Sequence, residues 1–166
     1  FGDAATLSMI FVDQSLRGRG YGAKLLEAII EHANPCEMLL IATPEGLPLY
    51  QKMGFQSIGT IGQFLGVAKP VASPTDPDGG PFNLDRAHKM DSLAVGADRL
   101  ELLQRLTEDG NVLQNATGFA VLRDFGRGKV LGPIVADGIG SAKALLTRAA
   151  SRSGGALLRI DTPVPA

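Results

Sequence analysis

Two periods of apolar residues run along this chain. Leu7 to Val12 is mostly apolar, with Asp13 as its stop, and predicts a buried strand. From Ala23 to Ala33 the apolar residues Leu25, Leu26, Ile29, Ile30 and Ala33 recur at helical spacing, and Asn34-Pro35 ends the pattern. Met38 to Ala42 predicts a second buried strand. Gly46 to Met53 predicts a short helix with Pro48 in its first turn and Gly54 as its cap. Phe55 to Leu65 reads as a strand pair or a bent strand, broken at Gly59 and Gly62.

Lys69 to Leu84 carries Pro70, Pro74, Pro77, Pro81 and Gly79-Gly80, the composition of a linker. Beyond it the pattern predicts a strand near Lys89 to Leu93 and a helix from Ala97 to Leu106. Strands follow at Gly118 to Arg123 and Lys129 to Ala136, around the turn Asp124 to Gly128. A helix from Ser141 to Ser151, closed by Gly154-Gly155, and a strand from Ala156 to Asp161 complete it. The halves echo each other as strand, helix, strand, and both final strands run into Thr-Pro, at Thr43-Pro44 and Thr162-Pro163. Such a unit needs parallel strands with the helix packed on the sheet.

Composition narrows the field. At 166 residues the chain makes one domain or two small ones, with a core large enough to fold without disulfides. Apolar residues are 45% and mean hydropathy is +0.12, values of a globular protein. Sixteen basic against seventeen acidic side chains give no field that would draw nucleic acid or an anionic membrane. No apolar run is long enough to span a bilayer. Cys36 is the sole cysteine, which excludes an internal disulfide and suits a reducing, cytoplasmic setting. The chain starts at Phe1 without a visible signal peptide, and both ends are expected to be cut from a longer protein.

The chemistry concentrates in Arg17-Gly18-Arg19-Gly20-Tyr21-Gly22, between a strand and a helix start. Glycines let backbone approach a ligand, helix-start amides favour anions, and the two arginines add charge for phosphate oxygens. The loop reads as a pyrophosphate cradle. Gly18-x-Gly20-x-x-Ala23 formally fits a dinucleotide fingerprint with Glu45 as ribose acid, but five residues, Asp13 to Arg17, separate strand and first glycine.

Arg17-x-x-Gly20-x-Gly22 and Leu49-Tyr50-Gln51-Lys52-Met53-Gly54-Phe55 together resemble the two signatures of the GNAT superfamily of acetyl-CoA-dependent N-acyltransferases. Ala42-Thr43-Pro44-x-Gly46-x-Pro48-Leu49-Tyr50 is similar to a subgroup with a second, degenerate GNAT-like domain. Asp91-x-x-Ala94-x-Gly96-Ala97-Asp98-Arg99, Gly118-Phe119-Ala120-x-x-Arg123 and Leu131 to Ala136 match that second domain. The resemblance implies an α+β fold of two halves, each a mixed sheet with packed helices. Residues 1–68 would be the C-terminal part of the acetyl-CoA-binding domain, 69–85 a linker, and 86–166 a second domain lacking the pyrophosphate loop. The resemblance also implies that the elements that usually shape the acceptor-amine pocket, ahead of Leu7, and the last strands of the second domain are expected to lie outside this sequence.

The implied activity is acetyl transfer from acetyl-CoA to a primary amine of a small molecule. Ile10, Phe11 and Val12 would meet the pantetheine through backbone. Arg17, Gly18, Arg19, Gly20, Tyr21 and Gly22 would hold the pyrophosphate. Tyr50 would protonate the departing thiolate. Thr43 stands where many family members carry an asparagine for the cofactor. Glu37, Glu45 or a water chain could serve as base. His32, His88 and Cys36 carry no catalytic pattern, and no metal-ligand spacing exists. The loop Asp137-Gly138-Ile139-Gly140 has no arginine, so the second half is expected to line the acceptor pocket without binding acetyl-CoA. Asp98-Arg99 is expected to be a helix-start acid and a surface or interdomain ion pair. A non-catalytic acetyl-CoA sensor, an NAD(P)-binding oxidoreductase and a homo-oligomer stay open as alternatives.

Overall fold

A computed structural model describes residues 1–72 and 80–164, so the middle of the proline-rich segment expected to be a linker, residues 73–79, lies outside the described residues. The chain forms two compact units, Phe1–Thr60 and Ile61–Val164.

The first unit is a strand–helix–strand crossover. Strand β1 (Ala4–Leu7) lies parallel to β2 (Glu37–Leu40), from Ala4 opposite Glu37 to Leu7 opposite Leu40. Helix α1 (Tyr21–Ala33) joins them, and its Leu26 is fully buried. A short helix α2 (Leu47–Lys52) follows. The expected strand Leu7 to Val12 is displaced: β1 ends at Leu7, because Met9 takes φ 59° and β2 offers no pairing beyond Leu40. Ser8 to Val12 therefore continues outside the sheet. Leu25, expected on the inner stripe of α1, is 43% exposed. No strand forms over Phe55 to Gly59; β3 (Thr60–Val67) starts only at Thr60 and belongs to the other sheet.

The second unit is a five-stranded mixed sheet in the order β3, β7, β6, β5, β4. Two helices, α3 (Leu84–Val95) and α4 (Leu100–Asp109), precede strands β4 (Asn111–Asn115), β5 (Gly118–Phe125) and β6 (Gly128–Ala136), an antiparallel meander. Helix α5 (Ile139–Arg152) crosses over to β7 (Leu157–Val164), which is parallel to β6. Both halves thus contain the parallel crossover that the repeat predicts.

Strand β5 is covered on both faces, and its alternation sorts two cores. Ala120 and Leu122 join Leu113, Leu131, Leu145, Ala149 and Leu158 on the α5 side. Phe119 and Val121 join Ala87, Leu103 and Val135 on the α3–α4 side. The strand expected near Lys89 to Leu93 is instead the middle of α3. Asn83 caps that helix by accepting the Arg86 amide at 2.8 Å, and Gly96 closes it at φ 76°. Leu84, Ala87 and Met90 pack inward at helical spacing. Strand β4, which the apolar pattern alone did not single out, has Leu113 and Asn115 as its buried positions.

Candidate functional site

The cradle starts from Asp13. Its carboxylate accepts from the Ser15 hydroxyl at 2.6 Å and the Ser15 amide at 2.9 Å, capping a single 3₁₀ turn at Gln14–Leu16. Those bonds, with the nearby Arg17 charge, hold the Asp13 carboxyl below its ordinary pKa. Arg17 then donates from Nε to the Val12 carbonyl at 3.1 Å, pinning the loop to the end of the Ser8–Val12 segment.

Gly18 and Gly20 both take positive φ, 75° and 80°, around Arg19, which does not. A Cβ on either glycine would meet nothing within 4 Å, so conformation, not space, calls for glycine there. Gly20 is the N-cap of α1 and offers no side chain to its first turn. The first carbonyl–amide bond into that helix runs from the Lys24 amide to the Gly20 carbonyl at 3.1 Å. Among the described residues, the amides of Gly18, Arg19, Gly20, Tyr21, Gly22 and Ala23 have no acceptor. Arg19 is exposed and has no ion-pair partner among the described residues. Amides without acceptors among the described residues, the positive helix end and the exposed Arg19 guanidinium lie together here, a set of groups whose chemistry suits an anion.

Ile10, Phe11 and Val12 lead into this loop, although outside any strand. Their amides also have no acceptor among the described residues, and Phe11 is 78% exposed. An extended ligand could therefore pair with this backbone.

Tyr50 stands on α2, half-buried, its ring edge-on to Phe55 with centroids 6.0 Å apart. The helix abuts the cradle through Leu49: a Cβ on Gly22 would lie 3.3 Å from Leu49 Cδ2 and 3.8 Å from Val12 Cγ2. The two motifs thus converge in one unit. Thr43 braces the turn ahead of α2, its carbonyl accepting the Gly46 and Leu47 amides at 3.0 and 2.9 Å. Leu49 and the Asp13–Ser15 cap were missed at the sequence level. An Asp-x-Ser spacing ahead of the glycine loop was the available signal for the cap.

The remaining candidates fall elsewhere. Glu45 is exposed, its carboxyl held low by its own amide and then by the Thr43 hydroxyl, a local turn interaction. Glu37 is exposed on β2, His32 ends α1, and Cys36 is half-buried. His88 lies 2.8 Å from Asp98, which also caps the Leu100 amide. The expected surface or interdomain pair of Arg99 is instead internal to the second unit and half hidden: Arg99 grips the fully buried Asp91 with two bonds, at 2.9 and 2.5 Å. Among the described residues, no cluster of three or more His, Cys, Asp or Glu side chains could hold a metal ion. No described helix is long and apolar enough to cross a membrane.

In the second unit the topologically equivalent turn is different. Gly138 caps α5 in extended conformation, and no residue from Asp137 to Gly140 takes positive φ. The cavity beside it, about 310 Å³, is lined by Asn115, Ala116, Thr117, Gly140, Ser141 and Ala144, without a cation. Ser141 Oγ donates to Asn115 Oδ1 at 2.9 Å, as does the Thr117 amide at 3.1 Å.

Comparison with known proteins finds matches to both halves of the chain. A Bacillus subtilis (strain 168) protein described as the uncharacterized N-acetyltransferase YitH is 28% identical over 179 residues, covering 98% of this chain and 62% of its own length. A solved Pyrococcus horikoshii structure, provisionally described as an acetyltransferase, superposes with a TM-score of 0.79 at 21% identity, over 99% of this chain and 57% of that one. A GCN5-related N-acetyltransferase from Sphaerobacter thermophilus gives a TM-score of 0.60 at 18% identity, over 93% of this chain and 62% of that one. The chain thus spans less than two thirds of the length of these relatives. One model of the acetyltransferase (GNAT) domain matches residues 2–69, the half that holds the cradle, and a second matches residues 87–166, the half that lacks it. The chain belongs to the GNAT acetyltransferase superfamily.

Proposed function

We propose that the chain carries the cofactor half of an acetyl-CoA-dependent N-acetyltransferase acting on a primary amine of a small molecule. The observation that carries this reading is the row of six unpaired amides from Gly18 to Ala23 with Arg19 beside it. Such a row suits a pyrophosphate, whose oxygens replace the missing acceptors. Arg17 braces the loop, Gly18 and Gly20 give it left-handed turns beside open space, and Gly22 lets Leu49 pack close. The free amides of Ile10, Phe11 and Val12 suit an extended pantetheine arm, and one of them could stabilise a thioester oxygen as it gains charge.

In the transfer, acetyl-CoA supplies an activated acyl carbon: a C–N bond forms, the C–S bond breaks and the amine loses a proton. Tyr50 would give its phenolic proton to the leaving sulfur. Thr43 braces the turn ahead of α2 through its carbonyl, and we assign it no cofactor contact. Residues 1–68 would act as the acetyl-CoA domain, 69–85 as linker, and 86–166 as a second domain that does not bind the cofactor. Its cation-free cavity supports that division. We place the protein in the cytoplasm, without a nucleic-acid or membrane partner.

The test separates binding from turnover. Tyr50→Phe should keep acetyl-CoA affinity within about twofold while thiol release in the presence of an accepting amine falls about 100-fold. Equal turnover in the variant would remove Tyr50 from the mechanism. Binding without turnover in the parent chain, across polyamines, amino acids and amino sugars, would favour a non-catalytic sensor.

A further inference from the structure

Gly46 has no backbone reason to be glycine. It precedes α2 at φ −82° and ψ −27°, angles open to every residue. Its place at the helix start favours Ser, Thr, Asp or Asn, and it provides no side-chain cap. What the position lacks is room. A Cβ there would stand 3.2 Å from Tyr50 Cε2 and 3.6 Å from Thr43 Oγ1. The Gly46 amide is fixed as well, donating to the Thr43 carbonyl at 3.0 Å and, more weakly, to Thr43 Oγ1 at 3.3 Å. The backbone at residue 46 is therefore a wall that the Tyr50 ring rests against, while Phe55 meets the same ring edge-on.

We propose that Gly46 is a positioning residue for Tyr50: its missing side chain sets where the phenol lies. This rests on the reading of Tyr50 as the proton donor. Any side chain at residue 46 would push the ring, and the hydroxyl at its far end would move with it. Proton transfer is sensitive to such shifts, since a misplacement near 1 Å can cost about 100-fold. Coenzyme A affinity should not change, because the cradle amides lie on α1 and its loop.

Gly46→Ala and Gly46→Val are compared in the parent chain and in Tyr50→Phe. Gly59→Ala is the control, since a Cβ there meets nothing within 4 Å. Turnover is followed with the amine that best supports thiol release from acetyl-CoA, and folding by melting temperature. We expect Gly46→Val to lower kcat about tenfold with Kd for coenzyme A within about twofold, Gly46→Ala to fall between, and neither to lower kcat further in Tyr50→Phe. Equal losses in both backgrounds would overturn the proposal while leaving Tyr50 as donor. Full turnover in Tyr50→Phe alone would overturn the donor reading and the proposal with it. An activity-free arm uses carbon-13-labelled tyrosine in a Tyr21→Phe chain. Gly46→Ala should shift the Tyr50 ring resonances and Gly59→Ala should not; unmoved resonances in Gly46→Ala would overturn the proposal.

Discussion

Gly20 sits at φ 80° with nothing within 4 Å of its absent Cβ. A substitution there meets strain, not a clash, and the two consequences can be separated. Gly20→Ala should cost about 1 kcal/mol of stability, read by urea denaturation, and leave coenzyme A binding within a few-fold. Gly20→Asp should fold comparably, since aspartate tolerates left-handed angles, yet lose binding because a carboxylate then faces the pyrophosphate. A second prediction at this scale concerns acid. Asp98 is held below its ordinary pKa by the Leu100 amide first and by His88 next. A carboxyl that titrates lower in the folded state stabilises fully above the ordinary carboxylate pKa, about 3.9, and loses that contribution as pH falls through the folded value. Asp98→Asn keeps an oxygen for the Leu100 amide, so its melting temperature should fall less steeply with acid below about pH 4 than the parent's. Individual residues were legible in the sequence where residue type fixes local conformation, as at Gly18 and Gly20 with their positive φ. They were illegible where the reason is a neighbour distant in the pattern, as for Gly46 beneath the Tyr50 ring.

At the scale of elements, α3 shows why periodicity misled. Lys89 to Leu93 read as a strand, yet Leu93 is 89% exposed and the inward positions are Leu84, Ala87 and Met90. The most buried position is a charge, Asp91, which no hydrophobic pattern marks. Its bond to Arg99 ties α3 to the start of α4. Removing one partner of a buried pair leaves the other uncompensated, so Asp91→Ala should destabilise the second unit by about 3–5 kcal/mol in urea denaturation. A loss below about 1 kcal/mol would mean that water solvates Arg99 once its partner is gone. Helices α1 and α5 were legible because each has an apolar stripe and a clear stop. Strand β1 was misplaced because a positive φ at Met9 leaves no trace in an apolar run.

At the scale of the molecule, two parallel crossovers recur, one per unit, and only the first has left-handed glycines, Gly18 and Gly20, in the loop before its helix. The repeat was visible as strand–helix–strand followed by Thr-Pro. The division at Thr60/Ile61 was not, because β3 reads as a continuation of the first half while its hydrogen bonds belong to the second sheet. Pairing between strands far apart in sequence is a tertiary fact that local pattern does not encode.

The central claim is that the loop from Arg17 to Gly22 holds the pyrophosphate of acetyl-CoA. Calorimetric titration of acetyl-CoA, and separately NADH, into the chain and into Gly20→Asp tests it most directly. The account predicts saturable acetyl-CoA binding to the parent chain, no response to NADH, and affinity weakened at least about tenfold in a Gly20→Asp chain that still melts cooperatively. Unchanged acetyl-CoA affinity in that variant, or tighter binding of NADH than of acetyl-CoA, would contradict it.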